Sequence, residues 1–259
     1  MRLCISAGEA LPVELHRRWL TRFGVDVVDG IGSSEAYHIF LSNRPGAARL
    51  GSLGQPVPGY RLRVVDPAGR ELPAGRTGQL EVTGEAVATG YWRSPRQSAR
   101  TFPAPHAVRT GDLVVRDSGG HYYYRGRVDD LLKVSGRWVA PAEVERCLLA
   151  HPAVAECAVT GYQVGGLTRP RAFVVARRPV SPVELREHCR TRLAKYKWPR
   201  EIRFVAALPR TAAGKLDRRA LSRMEQPSGV ANRPGAGTVA LAGKSGGSWE
   251  SRTDEEGGA

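Results

Sequence analysis

The chain has 259 residues, is 41% hydrophobic and carries a formal net charge of +14. That length holds one large domain or two modest ones around a packed core, and no apolar run approaches the roughly 20 residues needed to cross a bilayer. The apolar part of Met1-Arg2-Leu3-Cys4-Ile5-Ser6 is too short for a secretory signal. Cys4, Cys147, Cys157 and Cys189 lack Cys-x-x-Cys spacing, which predicts reduced thiols in a cytoplasmic protein and no zinc site. A basic pI raises nucleic acid as a partner. The arginines, however, are scattered, form no long run and have no interleaved aromatics, so an arginine-rich background with an anionic small molecule as partner fits better than DNA.

In chain order, residues 2–6 read as a short buried strand. Leu11 to Phe23 places apolar residues at Leu11, Leu15, Trp19, Leu20 and Phe23, the spacing of a helix. Val25 to Ile31 is a second β-branched run, so a parallel strand pair with a crossover helix is expected. From Gly51 to Tyr124 the pattern changes to short alternating strands punctuated by Pro67, Gly69, Pro73 and Gly75. That predicts a small antiparallel, barrel-like layer over Tyr60–Val65, Gly78–Val82, Arg109–Val115 and His121–Tyr124. Beyond Asp130, helices are predicted over Pro141–Leu149 and Ser181–Tyr196, the latter capped by Ser181. Strands are predicted over Val154–Val159, Ala172–Ala176 and Ile202–Ala206. Residues 226–259 are rich in Gly, Ser, Ala and Pro and read as a disordered tail. The expected fold class is mixed α/β.

Four polar, glycine-spaced stretches carry candidate chemistry, and those around Asp112, Arg127 and Lys215 read as loops or loop edges. Asp29-Gly30-Ile31-Gly32-Ser33-Ser34-Glu35 follows the second strand. Its glycines permit close backbone approach, its serines offer hydroxyls to a phosphate, and Glu35 is a reasonable Mg²⁺ ligand. The plainer reading is a strand-to-helix turn with an N-cap serine. Asp112, in Thr110-Gly111-Asp112, offers two acceptor oxygens suited to a ribose, and Arg127 can donate to the same sugar or to a phosphate. A mutual surface ion pair is the plainer alternative. Lys215, behind Gly214 and before a short basic helix, can reach into a site as a mobile point charge. Alone it is a weak signal and reads as an ordinary exposed turn.

Taken together, these segments resemble the C-terminal part of the adenylate-forming superfamily, which includes acyl-CoA synthetases, adenylation domains and luciferase. Ser6-Ala7-Gly8-Glu9-Ala10-Leu11-Pro12 resembles the family's adenine-side loop, and Gly32-Ser33-Ser34-Glu35 its phosphate and magnesium segment. Thr110-Gly111-Asp112 resembles the ribose motif, Gly126-Arg127-Val128-Asp129-Asp130 the hinge, Gly214-Lys215 the catalytic lysine loop, and Gly90-Tyr91-Trp92 a recurrent tripeptide. The segment from Asp29 through His38-Ile39-Phe40-Leu41-Ser42-Asn43 is most similar to benzoate-CoA ligases and related aromatic acid ligases.

The resemblance covers residues 1 to about 225 and implies three segments: 1–128 from a large AMP-binding domain, 129–225 as a small lid, and 226–259 as the tail. It implies ATP, Mg²⁺, coenzyme A and a small carboxylic acid as partners. A carboxylate attacks the α-phosphate of ATP, pyrophosphate leaves, the lid rotates about Asp129, and a CoA thiol displaces AMP. Lys215 and Glu35 serve the first half. The loop at Ser135 and Gly136 serves the second. Gly8, Glu9, Ala10, Asp29, Gly30, Ile31, Gly32, Ser33, Ser34, Asp112 and Arg127 contact the nucleotide, and Tyr37, His38 and Ile39 lie near the acyl pocket. His38 is equally readable as a structural histidine. The family's Ser/Thr/Gly-rich phosphate loop has no counterpart in this sequence and is expected upstream of residue 1. Ile31 replaces the usual aromatic before Gly32, and Ala213 stands where threonine is common. Two competing readings stand beside the ligase: a non-catalytic or partner-dependent fragment that pairs with a separate N-terminal portion, with an exposed strand edge as the interaction surface, and a basic nucleic-acid binder, which would show strongly salt-dependent affinity.

Overall fold

A computed structural model of the chain describes residues 1–224, which lie in one compact unit. The expected disordered tail falls outside the described residues. The chain opens with β1 (Cys4–Ser6), α1 (Val13–Phe23) and β2 (Val27–Gly32), with β1 and β2 parallel and Cys4 opposite Val27. Pro12 holds the extended entry to α1. Gly24, left-handed at φ 64°, ends the helix by donating its N–H to Leu20 O at 2.9 Å. A 3₁₀ turn (Ser34–Ala36) then leads to β3 (Ile39–Ser42), which returns antiparallel to β2 and pairs with β4 (Gln55–Pro56). The four strands lie in the order β1-β2-β3-β4, so the parallel pair sits inside a mixed sheet.

One expectation about this first layer does not hold, and the expected helix forms with its apolar face uncovered. The first strand is an edge strand, and Ile5 is 65% exposed rather than buried. On α1 the residues at helical spacing, Leu15, Leu20 and Phe23, are exposed, and the helix buries only His16, whose Nε2 lies 2.9 Å from Asp26 Oδ1. Periodicity identifies an amphipathic helix. It does not say whether anything lies against the apolar stripe.

β5 (Tyr60–Val65), β6 (Thr77–Gly84), β7 (Ala107–Arg116) and β8 (Tyr122–Arg127) form the expected antiparallel layer, a meander in sequential order. Leu62, Val64, Leu80, Val82, Val108 and Val114 point to one side and pack with Phe40 and Leu41 of β3. An unanticipated helix, α2 (Pro95–Thr101), starts after Ser94 and connects β6 to β7. Arg109–Leu113 and Gly126–Arg127 belong to β7 and β8 and are not loops. The loop-like glycine at 111 instead marks an irregular stretch. The β6–β7 register slips between Gln79 and Glu81, the β7–β8 register slips between Leu113 and Val114, and Gly111 has φ 78°.

The remaining chain builds a hairpin, β9 (Leu132–Val134) and β10 (Arg137–Val139), then α3 (Pro141–Leu149), β11 (Val154–Val164), β12 (Leu167–Ala176), α4 (Pro182–Arg190), β13 (Glu201–Phe204) and α5 (Arg218–Arg223). β11 and β12 run longer than predicted because Gly165 and Gly166, at φ 56° and 76°, join them in a tight two-residue hairpin turn. β13 adds in parallel to β12. α4 is capped as expected, with Ser181 Oγ accepting from Glu184 N at 3.1 Å. It ends at Arg190, short of Tyr196, because the chain folds back and Trp198 Nε1 donates to Leu193 O (2.8 Å), setting Tyr196 and Trp198 against the core. Alternation along β12 divides its neighbours: Val174 packs with Val144, Leu148 and Leu185, whereas Phe173 packs with Leu208 and Leu221 of α5.

Burial separates the two kinds of helix. Leu148→Ala, at a fully buried position of α3, is expected to lower stability by about 2–5 kcal/mol. Leu15→Ala on α1 is expected to change it by no more than about 0.5 kcal/mol. Urea unfolding followed by circular dichroism checks both, and equal losses would contradict the exposed face of α1.

Candidate functional site

The bend from β2 into the Ser34–Ala36 turn is fixed by tight backbone packing. A Cβ on Gly30 would sit 2.7 Å from Leu41 O, and one on Gly32 2.4 Å from His38 O, so neither position admits a side chain without movement of β3. Ser33 caps the turn, its Oγ accepting from Ala36 N at 3.3 Å. The plainer reading of this serine therefore holds, and its hydroxyl hydrogen is turned to the Glu35 carboxylate. The turn presents Glu35, whose Oε1 accepts from Tyr91 Oη at 2.7 Å. Burial pushes the Glu35 carboxyl up. The Tyr91 hydroxyl, backbone and Ser33 hydrogen bonds and the Arg127 charge outweigh it and hold the group below the ordinary carboxylate range. Glu35 is thus ionised at neutral pH with one oxygen uncommitted to tyrosine. Tyr91 is the functional neighbour that residue-by-residue reading missed; its signal was the Gly90-Tyr91-Trp92 tripeptide.

Asp112 and Arg127 face each other across β7 and β8, with Arg127 Nη1 3.0 Å from Asp112 Oδ1. The pair is not a surface ion pair, because Asp112 is buried. Burial raises its carboxyl foremost, Arg127 opposes that rise, and the negative charge of Glu35 adds to it. Glu35, Asp112 and Arg127 thus lie within one electrostatic neighbourhood. Gly111 is required there, since a Cβ would come 2.7 Å from Arg127 Nη2. Arg127 also reaches Asp129, the expected pivot, at 3.9 Å; the Asp129 side chain is 83% exposed.

The turn holding Lys215 is closed by a bridge between Arg210 and Leu216 and by Thr211 N donating to Lys215 O at 2.7 Å. It rests on the loop after β1. Leu216 N donates to Glu9 Oε1 (2.7 Å), Arg210 Nη1 lies 3.4 Å from Glu9 Oε2, and the Lys215 Cε would be 3.8 Å from a Cβ on Gly8. Gly8, Glu9 and Ala10 are all exposed. Sequence reading assigned Glu9 to the nucleotide; in the fold its carboxylate anchors the lysine turn.

Asp29 lies on β2 beneath these groups, buried, with Oδ1 lacking a hydrogen-bond partner among the described residues. Burial pushes its pKa up to about 6, against hydrogen bonds from Ser6, Gly30 and Leu11 and the charge of His16. Ile31 is half-buried. Tyr37, at φ 70° and 82% exposed, and His38, also exposed, leave the turn toward solvent beside half-buried Ile39. Ser135 and Gly136, at φ 49° and 77°, form the two-residue turn of the β9–β10 hairpin, where Ser135 Oγ accepts from Arg169 Nη1 at 3.3 Å. That turn is exposed and bonded to β12, not to Glu35 or Asp112.

The site thus gathers a glycine-lined strand end, an ionised carboxylate and a buried aspartate paired with a half-exposed arginine, with the lysine turn resting on the loop after β1. Residues 1–92 match the model of the AMP-binding enzyme family, and residues 143–215 match that of the AMP-binding enzyme C-terminal domain. The chain belongs to the adenylate-forming, AMP-binding family. It is 48% identical over 225 residues to a benzoate–CoA ligase of Thauera aromatica, an alignment covering 84% of this chain and 42% of that protein. The solved anthranilate CoA ligase AuaEII in complex with anthranoyl-AMP superposes with a TM-score of 0.80 at 45% identity, over 86% of this chain and 44% of that one. A benzoate CoA ligase from Burkholderia xenovorans LB400 superposes with a TM-score of 0.79 at 46% identity, over 85% and 45%. The chain therefore spans less than half the length of the relatives it matches.

The raised Asp29 pKa has a definite sign. The folded state holds the proton more tightly than the unfolded state, so stability is lost as pH rises from about 4 through about 6. Relative to Asp29→Asn, the wild-type melting temperature is expected to fall across that window and level off above it. A difference independent of pH would contradict the burial of this carboxyl.

Proposed function

We propose that this chain carries the nucleotide-side half of an acid–CoA ligase site, acting on ATP, a small aromatic carboxylic acid such as benzoate, and coenzyme A. The observation that carries the reading is the convergence of Glu35, Asp112 and Arg127 near one strand end, with the Lys215 turn latched onto Gly8 and Glu9 of the neighbouring strand.

Asp112 keeps one carboxylate oxygen for a ribose hydroxyl while Arg127 occupies the other. The turn at Gly32, Ser33 and Ser34 offers backbone and hydroxyl donors to the α-phosphate, with Asp29, Gly30 and Ile31 lining the strand behind it and Ala10 beside Gly8 and Glu9. Lys215 supplies positive charge to the carboxylate and phosphate oxygens as the acyl–phosphate bond forms and pyrophosphate leaves. Glu35 suits Mg²⁺, which takes one or two carboxylates and otherwise binds substrate phosphate and water. The ionised Glu35 carboxylate fits such a role. The ion supplies charge neutralisation of the phosphates. Tyr37, His38 and Ile39 line the acyl side.

The chain divides, on this reading, into 1–128 and a lid at 129–225 that turns about Asp129. Rotation withdraws Lys215 and brings the Ser135–Gly136 turn to the acyl-adenylate for thioester formation. One hinge thereby serves two chemistries at one carbon. A partner-dependent fragment is the second reading, favoured by the exposed face of β1 and α1 at Ile5 and Phe23. No helix among the described residues is long and apolar enough to cross a membrane; catalysis in the cytoplasm accords with the substrates proposed.

A hydrolysis-resistant benzoyl-adenylate mimic is expected to bind the purified chain. Asp112→Ala should weaken it, and pyrophosphate release from ATP and benzoate should fall about 100-fold or more in Lys215→Ala. Binding without turnover supports the partner-dependent fragment. Failure of the mimic to bind, or turnover indifferent to Lys215, defeats the ligase reading.

A further inference from the structure

A cleft of about 740 Å³ opens between the antiparallel layer and the segment beyond Asp129, and its lining includes none of Glu35, Asp112, Arg127 or Lys215. Arg125 of β8, Arg146 of α3, Arg192 just past α4 and Lys197 line it, with Glu143 and Trp138. The single carboxylate in that set is spoken for: Lys197 Nζ lies 2.6 Å from Glu143 Oε1. Arg146 Nη1 donates to Tyr124 O (3.2 Å), and Arg192 Nη1 donates to His188 O (3.1 Å) and Thr191 Oγ1 (2.8 Å). Among the described residues none of the three arginines is ion-paired with a carboxylate. Each guanidinium has five N–H donors, so most of this capacity is unspent. Burial and the neighbouring Arg125 charge both work against the charge on Arg146, and the Glu143 carboxylate offsets only part of this. Like charges gathered in a cleft at this cost call for an anion between them.

We propose that this cleft is a binding site for a phosphate-bearing anion, distinct from the Glu35–Asp112–Arg127 cluster and from Lys215. Arg125 precedes Asp129 in the chain, whereas Arg146 and Arg192 follow it. An occupant held by both sides clamps the two segments together and resists any turn about that residue. Trp138 is 62% exposed at the cleft and presents an indole face on which a nucleobase can stack. A free oligophosphate and a nucleotide share the phosphate chemistry. The site does not depend on the ligase reading.

Calorimetric titration of the full 259-residue chain with inorganic tripolyphosphate, and separately with ADP, tests the proposal. Arg125→Gln/Arg146→Gln is expected to weaken tripolyphosphate about tenfold or more, since each lost charge-assisted hydrogen bond is worth about 1.5–3 kcal/mol. Arg192→Gln, in a loop rather than at the β8–α3 contact, should act in the same direction if the double variant is poorly folded by circular dichroism. Arginine-dependent tripolyphosphate binding should persist when a hydrolysis-resistant benzoyl-adenylate mimic is present in excess. Weakening of ADP alone by Trp138→Ala assigns a nucleotide; no effect of that change assigns a simple oligophosphate. No binding to the wild-type chain, wild-type affinity in the arginine variants, or displacement of the arginine-dependent binding by the mimic would each overturn the site.

Discussion

The pairing of Asp112 with Arg127 ties the architecture to the chemistry. It closes the end of the β7–β8 ladder, follows directly from the irregular stretch at Gly111, and stands immediately before the segment that leaves the antiparallel layer. A buried carboxylate is costly unless a charge is placed against it. Arg127 meets that need for Asp112 and also draws down Glu35, which arrives from a different sheet. Sheet register and site electrostatics are therefore one constraint: a slip of one residue between β7 and β8 would put Arg127 on the face opposite Asp112.

A second arrangement concerns what must let go. The Lys215 turn is held on the β1 loop by one backbone hydrogen bond and one long ion pair, both to Glu9 and both exposed. Exposed pairs of this kind contribute little. By contrast, Arg218 is anchored within its own segment by Glu145 and Asp130, and Arg171 by Glu201. The cited strong pairs thus lie within residues 130–218 and the weak ones between the lysine turn and the loop after β1, a distribution suited to the swing proposed for that segment. The cleft at Arg146 adds the opposite influence, a place where an anion can oppose that motion.

Much of the fold was legible in the sequence because it depends on local rules. Pro141 opening α3, Ser181 capping α4, and alternation along Tyr60–Val65 each act within a few residues. The misreadings came where a distant partner decides. Leu15, Leu20 and Phe23 have the spacing of a buried face, but nothing in the described chain covers them. Gly111 and Gly126 look like loop glycines, yet long β7 and β8 run through both. Tyr196 continues a helical pattern that Trp198 interrupts by folding back to Leu193.

At the site, the sequence by itself determined the inventory: the glycines, Ser33, Ser34, Glu35, Asp112, Arg127, Lys215 and their order along the chain. That order identifies the family because residue type and spacing are one-dimensional properties. Only the tertiary structure decided that Tyr91 bonds Glu35, that Glu9 anchors the lysine turn, and that Asp29 is buried with a raised pKa. It also decided that three scattered arginines share one cleft. Those facts depend on which residues meet across the chain, 56 positions apart for Tyr91 and Glu35 and 207 for Leu216 and Glu9, and on how much water is left between them, and neither is written in any local stretch of residues.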